Sequence, residues 1–373
     1  MPERNTIINP NPFPGLRAFS PEEAHLFFGR IESTLKVVSK LKDNRFVAVL
    51  GASGSGKSSL VMSGVIPALL KENTEGKKSW SYLVFRPALN PIDQLAAELS
   101  ALSSGAGFTQ LTMQSVAASL HNRTEGLTDV VSRIRKNPRQ QIVIVIDQFE
   151  ELFRFSTAAS SVVPYDDAMD FIELIINAVQ NHDQGLYVIL TVRSEYVSEC
   201  ARFSSLTNLM NGSSYLLPQI TPDLMGAVIE EPVKLSGASI DRALVKLIQS
   251  DLDERPGQLP VLQHLMMRLW DNWSRGGDLS RPIAISHYEA AGRLKGAISQ
   301  HAEQALESMD ERQRHVCSRL FRAITARNND GRELRKPGRI SAIAAQTGCS
   351  VKEIINVAEI FRRSEYSFLK TSG

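Results

Sequence analysis

At 373 residues, 43% of them hydrophobic and 22% charged, the chain has the composition of a globular protein with two or three domains and a sizeable apolar core. Its net charge of +2 excludes a global pull toward nucleic acid or anionic lipid, so any such binding needs a local patch. Cys200, Cys317 and Cys349 lack metal-ligand spacing, no apolar run approaches the ~20 residues of a membrane span, and the N-terminus has no apolar signal core, so a soluble, cytoplasmic, reducing setting is expected.

Residues 1–14 read as an extended leader, because Pro10, Pro12 and Pro14 disfavour helix. Ser20-Pro21-Glu22-Glu23 is a helix start, with a capping serine, a first-turn proline and carboxylates at the positive helix end. Phe27-Phe28-Gly29-Arg30 follows, and apolar spacing predicts a helix over 31–41. The valine-rich run 46–50 has the length of a buried strand. It passes straight into Gly51-Ala52-Ser53-Gly54-Ser55-Gly56-Lys57-Ser58, which fills every position of the phosphate-loop pattern G-x-x-x-x-G-K-[ST].

That pattern has a physical meaning. Glycines let backbone N–H groups turn inward around phosphate oxygens, and the following helix aims its positive end at the same anion. Lys57 reaches the β- and γ-phosphates as a point charge, and the Ser58 hydroxyl is placed for Mg²⁺. Gly51, Ser53, Gly54, Ser55, Gly56, Lys57, Ser58 and Ser59 are therefore the expected nucleotide-binding set. The chain is expected to bind a nucleoside triphosphate.

A helix over 60–70 comes next, strained or ended near Gly64 and Pro67. A strand over 82–85, a helix opened by Asn90-Pro91 and running to about 102, and polar helices over 112–121 and 128–136 follow. Residues 142–146 are five consecutive β-branched residues, as in a parallel strand covered on both faces. The run ends in Asp147, at the carboxyl edge where such sheets bind ligands. A small-residue loop over 156–163, an amphipathic helix over 165–180 and a buried strand over 187–192 complete a three-layer α/β sandwich. Beyond Pro218 the pattern turns helical, over 222–235, 241–252 and 259–273, with a linker at 274–277.

Asp147 is the carboxylate that a Ser58-bound Mg²⁺ requires; its alternative use is to cap the next turn. Glu150 is the first choice to activate the attacking water and Glu151 the second, the alternative being solvated carboxylates at a helix start. Arg193, ending the strand after Thr191, can bond the γ-phosphate and report its presence, or can form a surface ion pair.

FFGR, the phosphate loop, IVIVIDQFEELF, ILTVRSEY and RPGQLPVLQHLMMRLW, in that order over about 15–367, resemble the STAND NTPases. The likeness is to the bacterial novel STAND branch, signal-transduction ATPases of the AAA-related P-loop class. The resemblance implies a P-loop domain over 15–218, a helical lid over 219–277 and a winged-helix domain over 278–373. It implies a five-stranded parallel sheet with an extra strand between those bearing the phosphate loop and Asp147. Gly29 and Arg30 would lie near adenine and phosphates, and the Gly257 to Pro260 segment would touch the base side of ADP. ATP or ADP with Mg²⁺ are the implied cofactors, with a closed ADP monomer, a homo-oligomer in the ATP state and a role in bacterial signalling or antiviral defence. Effector and sensor modules would come from a longer chain or from partner subunits. Two departures stand out. Gln148 holds the position where AAA-type motors carry the catalytic glutamate, which shifts the base to Glu150 or Glu151 and fits slow turnover. Gly257-Gln258-Leu259-Pro260 has one residue more than the usual Gly-x-Pro, which bears on the Pro260 contact.

Residues 341–363 read as a helix-turn-helix, with Thr347-Gly348-Cys349-Ser350 as the turn and many arginines around it. The second helix, VKEIINVAEIFRR, offers few base-reading side chains, so an intramolecular latch is favoured over DNA binding. Three functions follow: an ATP-dependent STAND switch, a DNA-acting AAA-type ATPase, or a P-loop kinase, for which no separate acceptor lid is recognisable.

Overall fold

The computed structural model places residues 10–369, apart from 77, 89, 106, 157–164, 182–184, 253–256, 277, 328–332, 336–337, 364–365 and 367. The first nine residues of the expected leader and most of the expected loop at 156–163 lie outside the described residues. The chain forms two compact units. One, here the core unit, holds Ala18–Leu235 and Asp253–Leu259; the other, the helical unit, holds Met1–Arg17, Ser236–Leu252 and Pro260–Gly373.

In the core unit, strands β1 (Phe46–Gly51), β2 (Ser79–Phe85), β3 (Gln140–Ile146), β4 (Leu186–Arg193) and β5 (Ser214–Leu216) form one five-stranded sheet of order β2-β3-β4-β1-β5. Every pairing is parallel. The extra strand between the loop strand and the Asp147 strand is β4, as the family resemblance implies. Period-two alternation divides the core: Ile142, Ile144 and Ile146 face one apolar cluster, Val143 and Val145 the other. Helices cover both faces, which is why β3 is buried throughout and apolar from Ile142 to Ile146. The fifth strand, three residues long, carries no readable period of its own and is missed by pattern alone.

Helix α1 (Ile31–Asn44) leads into β1. After the phosphate loop, α2 (Lys57–Ser59) continues through a π-helical turn, Leu60–Val65, into α3 (Ile66–Thr74). The helix therefore does not end at Gly64 or Pro67. The widened turn precedes the proline, whose missing N–H falls in the first turn of α3. Gly64 is there for space, since a Cβ would lie 2.4 Å from Thr34 Oγ1 on α1. Helices α4 (Pro91–Ser103), α5 (Met113–Leu120), α6 (Gly126–Ile134), α7 (Glu151–Ser156) and α8 (Tyr165–Gln180) follow. Thr112 caps α5 by accepting from Ser115 N, whereas Asn90 makes no side-chain cap at α4. Short helices α9 (Val197–Cys200) and α10 (Ser204–Gly212) precede β5, and α11 (Pro222–Leu235) groups with this unit.

The helical unit contains α12 (Arg242–Asp251), α13 (Leu259–Arg275, from Pro260 on), α14 (Ile285–Ala290) and α15 (Arg293–Glu307). α13 runs into the stretch expected as a linker. Residues 10–17 belong here too: Asn11 donates to Met267 O at 2.9 Å and Asp271 Oδ1 at 2.8 Å, and Phe13 is buried. Helix α16 (Glu311–Ala323), strands β6 (Thr325–Arg327) and β7 (Glu333–Arg335), and helices α17 (Ile340–Thr347) and α18 (Val351–Arg362) complete the unit. β6 and β7 pair antiparallel. Gly348 ends α17 with φ of 67°, and Ser350 accepts from Glu353 N, so the turn chemistry at 347–350 is a left-handed stop followed by a capping box. The three cysteines are buried and free. Among the described residues no helix is long and apolar enough to cross a membrane.

Candidate nucleotide site

The carboxyl ends of β1, β3 and β4 bring the predicted residues together. β1 delivers the phosphate loop. In the sheet register Gly51 stands level with Arg193 on β4, and Ile146, the residue before Asp147, stands level with Leu190. Lys57 is 8% exposed, and its Nζ donates to Gly51 O at 2.8 Å and Ala52 O at 2.9 Å. Burial pushes the Lys57 ammonium below its ordinary pKa, and the negative charge of Glu150 works the other way.

Ser58 Oγ donates to Asp147 Oδ1 at 2.6 Å, spanning 89 residues of sequence. Thr191 Oγ1 donates to the same oxygen at 2.8 Å and accepts from Gln148 N at 2.9 Å. The other carboxylate oxygen faces Arg86 Nη2 at 3.4 Å. Gln148 takes the left-handed conformation with φ of 58°. With its amide nitrogen toward Glu151 Oε1 (3.0 Å) and its oxygen toward Arg86 (3.2 Å), it bridges the two. Two hard oxygen ligands, one neutral and one anionic, fit an Mg²⁺ that keeps the rest of its shell for water and phosphate.

The two candidate bases differ. Glu150 is 1% exposed and its Oε1 lies 2.9 Å from Arg193 Nε, while its Oε2 accepts from Arg193 N at 3.3 Å. Burial pushes this carboxyl above its usual range, with Arg193 and Lys57 opposing the shift. Glu151 opens α7 and is half-buried.

Arg30, 4% exposed, braces the loop by donating to Ser55 O at 3.0 Å and to Pro218 O at 2.7 Å. Gly257 comes against the loop's rim. A Cβ on Gly54 would lie 2.9 Å from Gly257 Cα, and one on Gly257, whose φ is 93°, would lie 2.8 Å from Ser53 O. Only glycines allow two backbones so close. Pro260 sits in the first turn of α13, where a proline costs no hydrogen bond.

Three features escaped the sequence reading. Arg86 follows β2 at the ligand edge, a positional signal that the sequence offers. Thr191, two residues before Arg193, orients Asp147, a role that its place in the sequence does not announce. Glu195 lies close enough to Lys57 for its charge to be felt there.

The profile of the family Novel STAND NTPase 1 matches residues 12–363. The chain belongs to this family. Among curated proteins none matches it in sequence. One solved structure shares the overall fold of this STAND NTPase. The Aeropyrum pernix ORC1 protein, solved in complex with DNA, aligns with a TM-score of 0.55 at 13% identity, covering 92% of this chain and 86% of that one. A Walker-type ATPase of Pyrococcus abyssi aligns with a TM-score of 0.47 at 16% identity, covering 90% and 91%. The sheet, the phosphate loop and the family together make this STAND NTPase a P-loop protein.

Proposed function

We propose that the chain is an ATP-driven molecular switch that hydrolyses its nucleotide slowly. The observation that carries this reading is the 2.6 Å hydrogen bond between Ser58 and Asp147, which joins the phosphate loop to the Asp147 strand as a ready pair of Mg²⁺ ligands. Held there, Mg²⁺ would neutralise charge spread over the β- and γ-phosphates. Lys57 supplies the ammonium donor to the same oxygens, and Arg193 meets the γ-phosphate. Glu151 takes the proton of the water that attacks phosphorus as the bond to the ADP oxygen breaks. Gln148, an amide where motors carry a carboxylate, supports slow turnover.

Residues 278–373 are read as a winged helix acting as an intramolecular latch. Four of their arginines bond within the segment, which supports the latch. Arg312 bonds Glu353, Arg314 the Leu306 and Glu307 carbonyls, Arg319 the Thr347 carbonyl and Arg362 Glu359. The wider reading is ADP-closed and ATP-open states, a homo-oligomer in the ATP state, and a cytoplasmic role in bacterial signalling or defence alongside sensor or effector partners.

Calorimetric titration of ATP, ADP and GTP with Mg²⁺ tests the proposal, together with identification of any nucleotide released on denaturing the purified protein. Micromolar or tighter ATP uptake that Lys57→Ala abolishes is expected. No uptake of adenine or guanine triphosphates would overturn it, and steep salt-dependent affinity for duplex DNA would favour a DNA-acting ATPase.

A further inference from the structure

We infer that Glu150 is a positioning residue for Arg193 and not the hydrolytic base; this rests on the proposed reading of Arg193 as the residue that meets the γ-phosphate. The argument starts from exposure. A base must pass its proton to and from water, but Glu150 is 1% exposed and both its oxygens are engaged by one residue. Oε1 holds Arg193 Nε at 2.9 Å and Oε2 holds the Arg193 backbone N–H at 3.3 Å. Two attachments, one to the backbone and one to the side chain, fix both where the guanidinium starts and how it turns. A guanidinium gripped at Nε keeps its Nη atoms for an oxyanion.

The topology supplies the direction. Glu150 follows β3, Arg193 ends β4, and the phosphate loop leaves β1, with β4 between the other two strands. Gly51 and Arg193 are partners in the register. Glu150 thus holds the arginine from the β3 side, at the level where the loop on the β1 side begins. A buried carboxylate ion-paired to an arginine is costly to break apart, so the arrangement persists while nucleotides exchange.

The test uses the full chain and four variants: Arg193→Ala, Glu150→Ala, Glu150→Gln and the double alanine variant. Calorimetry with Mg²⁺ gives the ratio of ATP to ADP affinity, and steady-state turnover gives kcat against pH. Arg193→Ala and Glu150→Ala are each expected to lower the ratio on the order of tenfold, the worth of one charged hydrogen bond. The double variant should lose no more than Arg193→Ala alone, because the two act as one unit. Glu150→Gln keeps an oxygen for the arginine and should recover part of the ratio while retaining the acid limb of kcat; it also carries the test if Glu150→Ala fails to fold. Wild-type ATP affinity in Glu150→Gln, with turnover collapsed and the acid limb gone, would make Glu150 the base and overturn the inference. A ratio lowered by Arg193→Ala but untouched by Glu150→Ala overturns it while leaving the sensor reading in place. A ratio untouched by Arg193→Ala removes the sensor reading and the inference with it.

Discussion

Replacing Thr191 by valine removes one hydroxyl and little volume, yet that hydroxyl closes two bonds at once. It accepts from Gln148 N at 2.9 Å and donates to Asp147 Oδ1 at 2.8 Å, and the residue is 1% exposed. In the valine variant a part-buried backbone N–H is orphaned, at about 1–3 kcal/mol, and a carboxylate loses one of its donors, at about 1 kcal/mol. The N–H belongs to a residue held at φ of 58°, so the turn after β3 loses the bond that keeps it left-handed. The expected loss is about 2–4 kcal/mol, a large share of the 5–15 kcal/mol typical of a domain. For a unit of this size that lowers the melting midpoint by roughly 10 °C. Scanning calorimetry of wild type, Thr191→Val and Thr191→Ser measures it, and serine, which restores the hydroxyl, should recover most of the loss. A valine variant melting within about 2 °C of wild type, or a serine variant falling as far as valine, would refute the reasoning.

Lys57→Ala should weaken ATP binding at least ~100-fold in calorimetry, because a point charge on two phosphates is lost. Gly257→Ala forces a Cβ to 2.8 Å from Ser53 O at φ of 93°, and should cost about 1–2 kcal/mol in urea denaturation and weaken ATP binding. Acid should loosen the helical unit. His264 and His301 sit 3.3 Å apart and buried, and desolvation, with Arg268 adding, holds them at about 4 and about 3. Unfolded imidazoles take protons near 6.5, so stability is full above that pH and is lost as pH falls toward 4. At pH 5 each costs about 2 kcal/mol. Melting curves between pH 7.5 and 5 should slope accordingly, and a His264→Gln, His301→Gln double variant should flatten the slope.

Signals carried by contiguous residues were legible. The phosphate loop, the β-branched run of β3 and the Gly348–Ser350 turn each state their conformation within a few residues. What depends on a distant partner was not. The helix through Gly64 and Pro67 widens beside Thr34, on a different helix. Position in the sequence favours Glu150 over Glu151 as the base, but it carries no trace of the β3–β4 register that sets Arg193 beside Glu150. The arginines of the basic C-terminal segment could be solvated or paired on sequence alone, and Arg312 pairs at the surface with Glu353 41 residues away, a tie that no local pattern announces.

Arg30 has a mechanical corollary. One guanidinium spans the carbonyls of Ser55 in the loop and Pro218 at the exit of β5, like a rod pinned at both ends. Displacement of either pin is felt by the other, and the chain past Pro218 leads into α11. Cutting the rod, with Arg30→Met, would leave both ends in place but uncouple their motion.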